Sequence, residues 1–217
     1  MQIFHPRADT IARIIFAPLG TLPALLILLG YMTMRSPYVT GQDIVREQPG
    51  PFSHAHHVSG LGIDCRYCHT SVNKARFAGI PPTETCITCH SQIWTNAAML
   101  APVRTSLAYN RPLRWRRVHN LPDYVYFDHG AHVANGVGCT TCHGWVDQMP
   151  LIRQSAPRTM GWCLDCHRNP GPNLRPREAV FDMAWKPSDS QAAQGPRLVE
   201  AYHINVRHLT DCSTRHR

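Results

Sequence analysis

The stretch FSHAHHVSGLGIDCRYCH, residues 52–69, contains the two patterns on which the fold depends. The first is F-x-H-x-x-H at residues 52–57, and the second is C-x-x-C-H at residues 65–69. Both patterns recur in FDHGAHVANGVGCTTCH, residues 127–143, at an offset of 74 to 75 residues. The chain is therefore expected to contain a duplicated structural unit.

The C-x-x-C-H motif occurs four times in the 217 residues. It is typical of c-type haem attachment, because two thiols add to the haem vinyl groups while the adjacent histidine binds the iron. Four motifs therefore predict four haems c. The residues concerned are Cys65, Cys68 and His69; Cys86, Cys89 and His90; Cys139, Cys142 and His143; and Cys163, Cys166 and His167.

Two other uses of these cysteines stay open at this point. The pairs Cys65/Cys68 and Cys86/Cys89 are 17 residues apart, which also suits a zinc ribbon. A disulfide framework would suit an exported chain. A zinc site does not require a histidine directly after every cysteine pair, so the pattern favours haem.

The ninth cysteine lies in a damaged copy of the motif at the C-terminus. Cys212-Ser-Thr-Arg215-His216 is C-x-x-C-H with an arginine in place of the second cysteine. One thioether together with axial ligation can retain a haem. We therefore predict a fifth haem on Cys212 with His216 as its iron ligand, the alternative being a free cysteine in a terminal tail.

The histidines outside the motifs supply candidate distal ligands. An H-x-x-H pair on one helical turn directs its two imidazoles differently, so that each can bind a different iron. Five distal ligands would match five haems, and the predicted set is His54, His57, His119, His129 and His132. Alternatives that could replace one of these are His203, His208, Met149 and Met160. His56 is interpreted as a solvated neighbour.

Residues 14–34 form a run of 21 residues without a charge, which is long enough to span a bilayer as a helix. Membrane helices tolerate the Pro18, Gly20 and Pro23 that lie within the run. A cleaved signal peptide is the alternative, but no small-x-small cleavage site follows. We predict an uncleaved single-pass anchor in the cytoplasmic membrane, with everything after Arg35 on the periplasmic face.

Composition limits the fold class. Charged residues are 17% of the chain, and 14 glycines and 18 prolines leave room for few long elements. We expect a mainly α fold with much irregular structure and little or no sheet: a transmembrane helix followed by a haem-packed cytochrome domain. The net charge of +8 does not predict nucleic-acid binding, because no basic stripe is interleaved with stacking aromatic residues.

Arginines cluster between the two repeats, where some are predicted to pair with haem propionates. The alternative is a solvated docking face. These residues are Arg104, Arg111, Arg114, Arg116 and Arg117.

The predicted organisation has eight parts. They are a cytoplasmic tail (1–13), the anchor (14–34), an extended linker (35–51), a first two-haem unit (52–100), an Arg-rich connection (101–126), a second two-haem unit (127–170), an irregular Pro-rich segment (171–201) and the degenerate fifth site (202–217).

Four stretches of this sequence also resemble a known family. GIDCRYCHTSV, AGIPPTETCITCHSQIW, RVHNLPDYVYFDHGAHVANGVGCTTCHG and WCLDCHRNP are similar to the membrane-anchored pentahaem cytochrome c subunit of alternative complex III. The resemblance covers nearly all of residues 52–217 and the single anchor helix. The closing LTDCSTRHR resembles that family's fifth haem motif, from which Arg215 departs.

This resemblance implies an electron-transfer subunit of a quinol-oxidising membrane complex, without catalytic residues of its own. It implies a polytopic quinol-binding membrane subunit, an iron–sulfur subunit, and a mono-haem cytochrome or soluble carrier as partners. Two other functions stay open. A stand-alone membrane-anchored quinol dehydrogenase would oxidise quinol without partners, and a multihaem reductase would need a haem with an open coordination position.

Overall fold

The computed structural model describes residue 5 and residues 7–187 and 190–216; part of the predicted tail, residues 1–4 and 6, lies outside them. Within this range the structure is mostly helical and irregular, with isolated bridges in place of a sheet, as the sequence predicts. The α-helices are α1 (Ala8–Arg35), α2 (Pro37–Thr40), α3 (Cys65–Cys68), α4 (Thr83–His90), α5 (Ala101–Ala108), α6 (His129–Ala134), α7 (Cys139–His143), α8 (Met160–Arg168) and α9 (Gln191–Ala201).

Helix α1 is 28 residues long and contains both prolines of the predicted anchor. At 1.5 Å per residue it measures about 42 Å, more than the hydrocarbon core of a bilayer. None of its side chains is buried, and it is the one helix in the described range that is long and apolar enough to cross a membrane. It begins six residues before the predicted anchor and ends at Arg35, followed by Ser36, whose extended backbone precedes Pro37.

The segment after α1 is less extended than the predicted linker. It contains α2 and then forms isolated bridges from Gln42 to Gln154 and from Val45 to Arg153. The Gln154 side chain donates to the Thr40 carbonyl at 2.9 Å, and the Gln42 side chain donates to the Ser155 carbonyl at 2.9 Å. This segment is thus held against residues 153–155.

The two repeats contact each other directly. The backbone amide of Gly130 donates to the Ala75 carbonyl at 3.0 Å, and that of His129 donates to the Arg76 carbonyl at 3.2 Å. Gly130 is buried, and a Cβ atom there would lie 3.1 Å from the Lys74 backbone. The start of α6 therefore lies against the first repeat.

The second half of the predicted Pro-rich segment contains helix α9. It packs against a 3-10 turn at Gly171–Asn173, where the backbones approach so closely that a Cβ atom at Gly195 would collide with Gly171 and one at Gly171 would lie 3.2 Å from Gly195. The segment that the sequence predicts as irregular thus contains 3-10 turns at Gly171–Asn173 and Arg177–Ala179 and then the helix α9.

Few apolar side chains are buried in the described range, for a domain of this length. Those below a tenth exposed are Val72, Val103, Met149, Ala156, Leu174, Val180 and Met183. Such a small set leaves packing to other groups, in agreement with the expectation that side chains alone do not fill the interior.

Candidate functional site

Each C-x-x-C-H motif lies on a short helix or at its end. A helical turn places the two cysteines, three positions apart, on one face. Asp64 and Thr159 cap α3 and α8 by accepting from backbone amides two or three residues ahead, and Asp128 caps α6 in the same way at 2.9 Å. The caps start α3 at Cys65 and α6 at His129, and they start α8 three residues before Cys163.

Three pairs of histidines face each other at nearly the same distance. The ring centres are 6.3 Å apart for His57 and His90, 6.2 Å for His129 and His143, and 6.1 Å for His132 and His167. Metal–nitrogen bonds of about 2.0 Å on opposite sides of one metal place two imidazole centres roughly 6 Å apart. Each pair combines a histidine of an H-x-x-H pattern with the histidine of a C-x-x-C-H motif, and its spacing suits one iron.

The second ring nitrogen of most of these histidines is held by the backbone. Nδ1 of His57 and of His132 donates to the carbonyl four residues earlier, Ser53 at 2.8 Å and Asp128 at 2.6 Å. The same kind of bond joins His129 to Arg76, His69 to Gly79, His90 to Ile93 and His167 to Leu209, at 2.7 to 3.2 Å. A proton fixed on Nδ1 leaves Nε2 free to bind a metal.

The two repeats build the same local arrangement around the H-x-x-H pattern. Phe52 stacks on His57 at 4.3 Å and meets His54 edge-on at 4.9 Å. Its counterpart Phe127 stacks on His132 at 4.6 Å and meets His129 edge-on at 4.7 Å. The duplication seen in the sequence therefore extends to side-chain geometry.

His54 is the remaining histidine of the first repeat. Burial lowers its pKa to about 4, and the charges of His69 and His57 lower it further. Its Nδ1 atom is buried without a hydrogen-bond partner among the described residues. His54 therefore lies near the histidine of the first motif. It occupies the same position in the first repeat as His129 does in the second.

His119 lies in the same interior region and next to His143. The two ring centres are 4.4 Å apart and the ring planes are nearly perpendicular. Both ring nitrogens of His119 are buried and lack a partner in the part of the chain that the structure describes. Burial lowers its pKa to about 3, and the Arg158 guanidinium lowers it further.

Contacts between cysteines give the order of the motifs in space. The thiols of Cys65 and Cys139 contact each other, which joins the first motif to the third. Cys68 is close enough to Cys86 for that thiolate to raise its pKa, after the larger effect of burial. In the fourth motif, the thiolates of Cys163 and Cys166 likewise raise the pKa of Cys142, after the larger effect of burial. The spatial order is second, first, third, fourth.

The damaged motif continues this row beyond the fourth motif. Nδ1 of His167 donates to the Leu209 carbonyl at 2.9 Å, and the charge of Arg215 is a secondary cause of the lowered pKa of His167. The Tyr126 amide donates to the Arg215 carbonyl at 2.7 Å, and His216 forms a bridge with Val125. Cys212 is exposed.

The alternative axial ligands lie in four different environments. Met149 is 2% exposed and belongs to the apolar core, whereas Met160 is 67% exposed. His208 is paired with Asp211 at 2.8 Å, and His203 is exposed. His56 is exposed and stacks on Trp94 at 6.0 Å, as the prediction of a solvated neighbour requires.

From the sequence, the arginines of the Arg-rich connection (101–126) are predicted to pair with haem propionates. Two other arginines, which the sequence does not single out, lie closer to the C-x-x-C-H motifs. Arg104 donates to the carbonyls of Thr95 and Ala97, while the other four of the predicted cluster are exposed. Arg175 is 4% exposed and donates to the Thr140 hydroxyl at 2.6 Å. Arg158 lies 3.4 Å from Nδ1 of His143. In the sequence, Arg158 is a single arginine upstream of a motif. Nothing distinguishes it there from the other basic residues, which number 22 in all.

The two alternative uses of cysteine receive little support from this geometry. Across the described range, no three side chains of His, Cys, Asp or Glu converge as a zinc ligand set would. The nine cysteines lie in the described range and form no disulfide there, and Cys65 lies beside Cys139 of a different motif.

Comparison with known proteins gives one partial match. The chain is 35% identical over 99 residues to the multihaem cytochrome c subunit of menaquinone reductase from Nitratidesulfovibrio vulgaris (strain Hildenborough). The match covers 45% of this chain and 46% of that protein, so the chain aligns with about half the length of its curated relative. No family model matches the chain.

Proposed function

We propose that this chain is a membrane-anchored multihaem cytochrome c, the electron-transfer subunit of a quinone-linked membrane complex. The observation that carries the proposal is the set of three histidine pairs with ring centres 6.1 to 6.3 Å apart, each containing the histidine of a C-x-x-C-H motif. Haem iron in such a site takes up and releases one electron when the group is bound.

The proposed haem-binding residues follow the repeat. His57 would bind opposite His90, His129 opposite His143, and His132 opposite His167. By the symmetry of the repeats, His54 would bind opposite His69. Cys212 and His216 would hold a fifth haem. His119, which the sequence predicts as the fifth distal ligand, lies beside His143 of the third motif.

The spatial order of the motifs supports transport along a row rather than reaction at a single centre. Two protein ligands on an iron leave no position for a substrate, which disfavours a reductase. The row would begin at the second motif and pass through the first, third and fourth to the C-terminal site. Its C-terminal end lies against the segment at Tyr124–Tyr126.

The membrane location and the partner subunits of this row of haems are proposed from helix α1 and from the partial relative. The length and apolar surface of α1 suit a single-pass anchor, with the haem domain on the periplasmic face. The partial relative is named as a subunit of a menaquinone reductase, and the family that the sequence resembles oxidises quinol. In either setting the partners would be a polytopic quinone-reactive subunit, an iron–sulfur subunit, and a mono-haem cytochrome or soluble carrier.

The experiment is reduction by quinol, followed at the haem absorption bands. Membranes that contain the complex and the detergent-purified chain alone receive the same reduced quinol analogue. We expect the haems to be reduced in the complex and to stay oxidised in the isolated chain. Rapid reduction of the isolated chain would instead identify a stand-alone quinol dehydrogenase, and no reduction in either sample would contradict the proposal.

A further inference from the structure

Three nitrogen-bearing groups converge beside the third motif, and no acceptor oxygen of the described residues pairs with them. A terminal nitrogen of Arg158 lies 3.4 Å from Nδ1 of His143. The His119 ring lies 4.4 Å from the His143 ring, and both of its nitrogens are buried without a partner among the described residues. The Arg158 charge acts on both of these histidines.

The chemistry of these groups suits an acceptor from outside the described residues. If Nε2 of His143 binds iron, as in the proposed function, Nδ1 must carry the proton and can only donate. A guanidinium also has donors alone. The other three motif histidines donate to backbone carbonyls, those of Gly79, Ile93 and Leu209. His143 faces Arg158 instead.

Arg158 is held in a strained backbone conformation. Its φ of 54° lies in the left-handed region, which a side chain with a Cβ atom rarely adopts. Burial lowers its pKa, and the thiols of Cys142 and Cys163 partly oppose that effect. A largely buried cation without a carboxylate from the chain is costly unless an anion pairs with it.

We propose that Arg158, His119 and Nδ1 of His143 form a carboxylate-binding site for a haem propionate at the junction of the third and fourth motifs. Arg158 then neutralises the propionate, and its remaining donors fix the carboxylate beside the ligand of the iron. His119 donates a hydrogen bond to this carboxylate and does not bind the iron of His143. Its position 4.4 Å from His143, at nearly right angles, does not suit two imidazoles on opposite sides of one iron.

The proposal also defines Arg158 as a potential-setting residue. A positive charge near an iron favours the reduced state, which carries one positive charge less. Removing it should therefore lower the midpoint potential. This inference rests on the proposed haem attachment at Cys139 and Cys142.

The test uses the full-length chain in its complex, with Arg158→Gln, Arg158→Lys and His119→Gln. The control is Arg197→Gln, because Arg197 is exposed on helix α9 and lies outside the motifs and the arginine cluster. Haem on the Cys139–Cys142 peptide is verified by mass, and the haems are titrated by spectroelectrochemistry. In Arg158→Gln we expect the reduction equilibrium of one haem to fall at least tenfold, which is 59 mV for a one-electron couple. Arg158→Lys should recover most of this shift, and the control should show none.

Two readouts separate the possible roles of His119. In His119→Gln we expect all haems to stay low-spin and unreactive towards carbon monoxide, with a smaller shift of the same haem. A high-spin haem that binds carbon monoxide would overturn the proposal, because His119 would then be an iron ligand. Attached haem with unchanged potentials in Arg158→Gln would also overturn it. Absence of haem from the Cys139–Cys142 peptide of the unmodified chain would overturn the proposed function as well.

Discussion

His132 and His167 face each other with ring centres 6.1 Å apart, although 35 residues of chain separate them. His57 and His90 repeat this relationship at 6.3 Å in the first unit. The same relationship in two copies, each buttressed by a stacked phenylalanine, is what a duplicated two-haem unit requires.

Removing the distal histidine of a pair should open one iron. In His132→Ala and in His57→Ala we expect one haem to become five-coordinate and to bind carbon monoxide, because its sixth ligand is lost. The measurement is the carbon monoxide difference spectrum of the dithionite-reduced protein. His56→Ala is the matched control, since His56 is adjacent in sequence but exposed. Carbon monoxide binding equal to that of the unmodified protein in both variants would show that these histidines are not ligands.

The angles between paired rings predict different magnetic spectra. The planes of His57 and His90 are 69° apart, whereas those of His129 and His143 are 13° apart. Near-perpendicular axial imidazoles give ferric low-spin iron a strongly anisotropic electron paramagnetic resonance signal, and parallel ones give a rhombic signal. We expect the oxidised protein to show both kinds. The anisotropic signal should disappear in His57→Ala and persist in His132→Ala, and the reverse result would contradict the assignment.

Asp128 should stabilise the second repeat by capping α6. Its carboxylate accepts from the Ala131 amide at 2.9 Å, and its carbonyl accepts from Nδ1 of His132. Asp128→Ala removes only the first of these bonds, so the free energy of unfolding should fall by about 1 kcal/mol. Thermal unfolding of the haem-loaded protein measures this, with the exposed Asp123→Ala as control. Equal stability of the two variants would contradict the capping role.

Gly138 should be intolerant of any side chain. A Cβ atom there would collide with the guanidinium of Arg175, which stacks on Trp185 at 4.4 Å and donates to Thr140. Gly138→Ala should therefore lower the free energy of unfolding by about 1 to 3 kcal/mol, as overpacking does. Gly50→Ala is the control, because nothing lies within 4 Å of its added atom. Chemical denaturation that gives the same midpoint for both variants would contradict the packing argument.

The anchor proposal predicts that α1 stays in the mature protein. Detergent-extracted chain should give an N-terminal peptide within Ala8–Arg35, and deletion of residues 1–35 should release the haem domain from washed membranes. A mature chain that starts after residue 35 would show that this helix is a signal sequence. The cytochrome proposal would then stand without its membrane anchor.

Much of the site follows from local sequence, because its chemistry is local. The C-x-x-C-H spacing, the H-x-x-H pattern and the capping residue Asp128 act within one helical turn, and the mainly helical fold without a sheet is confirmed for the described residues. The ligand set and the number of haems remain predictions. The resemblance to alternative complex III also stays a prediction, since the partial relative is named as a subunit of a menaquinone reductase.

What the sequence did not predict depends on contacts between distant residues. Arg158 lies beside His143 because the loop after Gln154 returns to the third motif, and no local pattern marks that return. Helix α9 contains Pro196 and Gly195, which normally oppose a helix, yet its close approach to Gly171 needs a residue without a side chain. In both cases tertiary packing overrides local preference.

The most direct test of the central claim is the number of covalently bound haems in the intact, membrane-extracted chain. Mass spectrometry gives the number, and a pyridine haemochrome spectrum shows how many thioethers hold each haem. We expect five haems. Four should be held by two thioethers, and the one at Cys212 by a single thioether, which shifts its absorption band. A chain without covalent haem, with zinc or disulfides on its cysteines, would contradict the proposal that it is a multihaem cytochrome c.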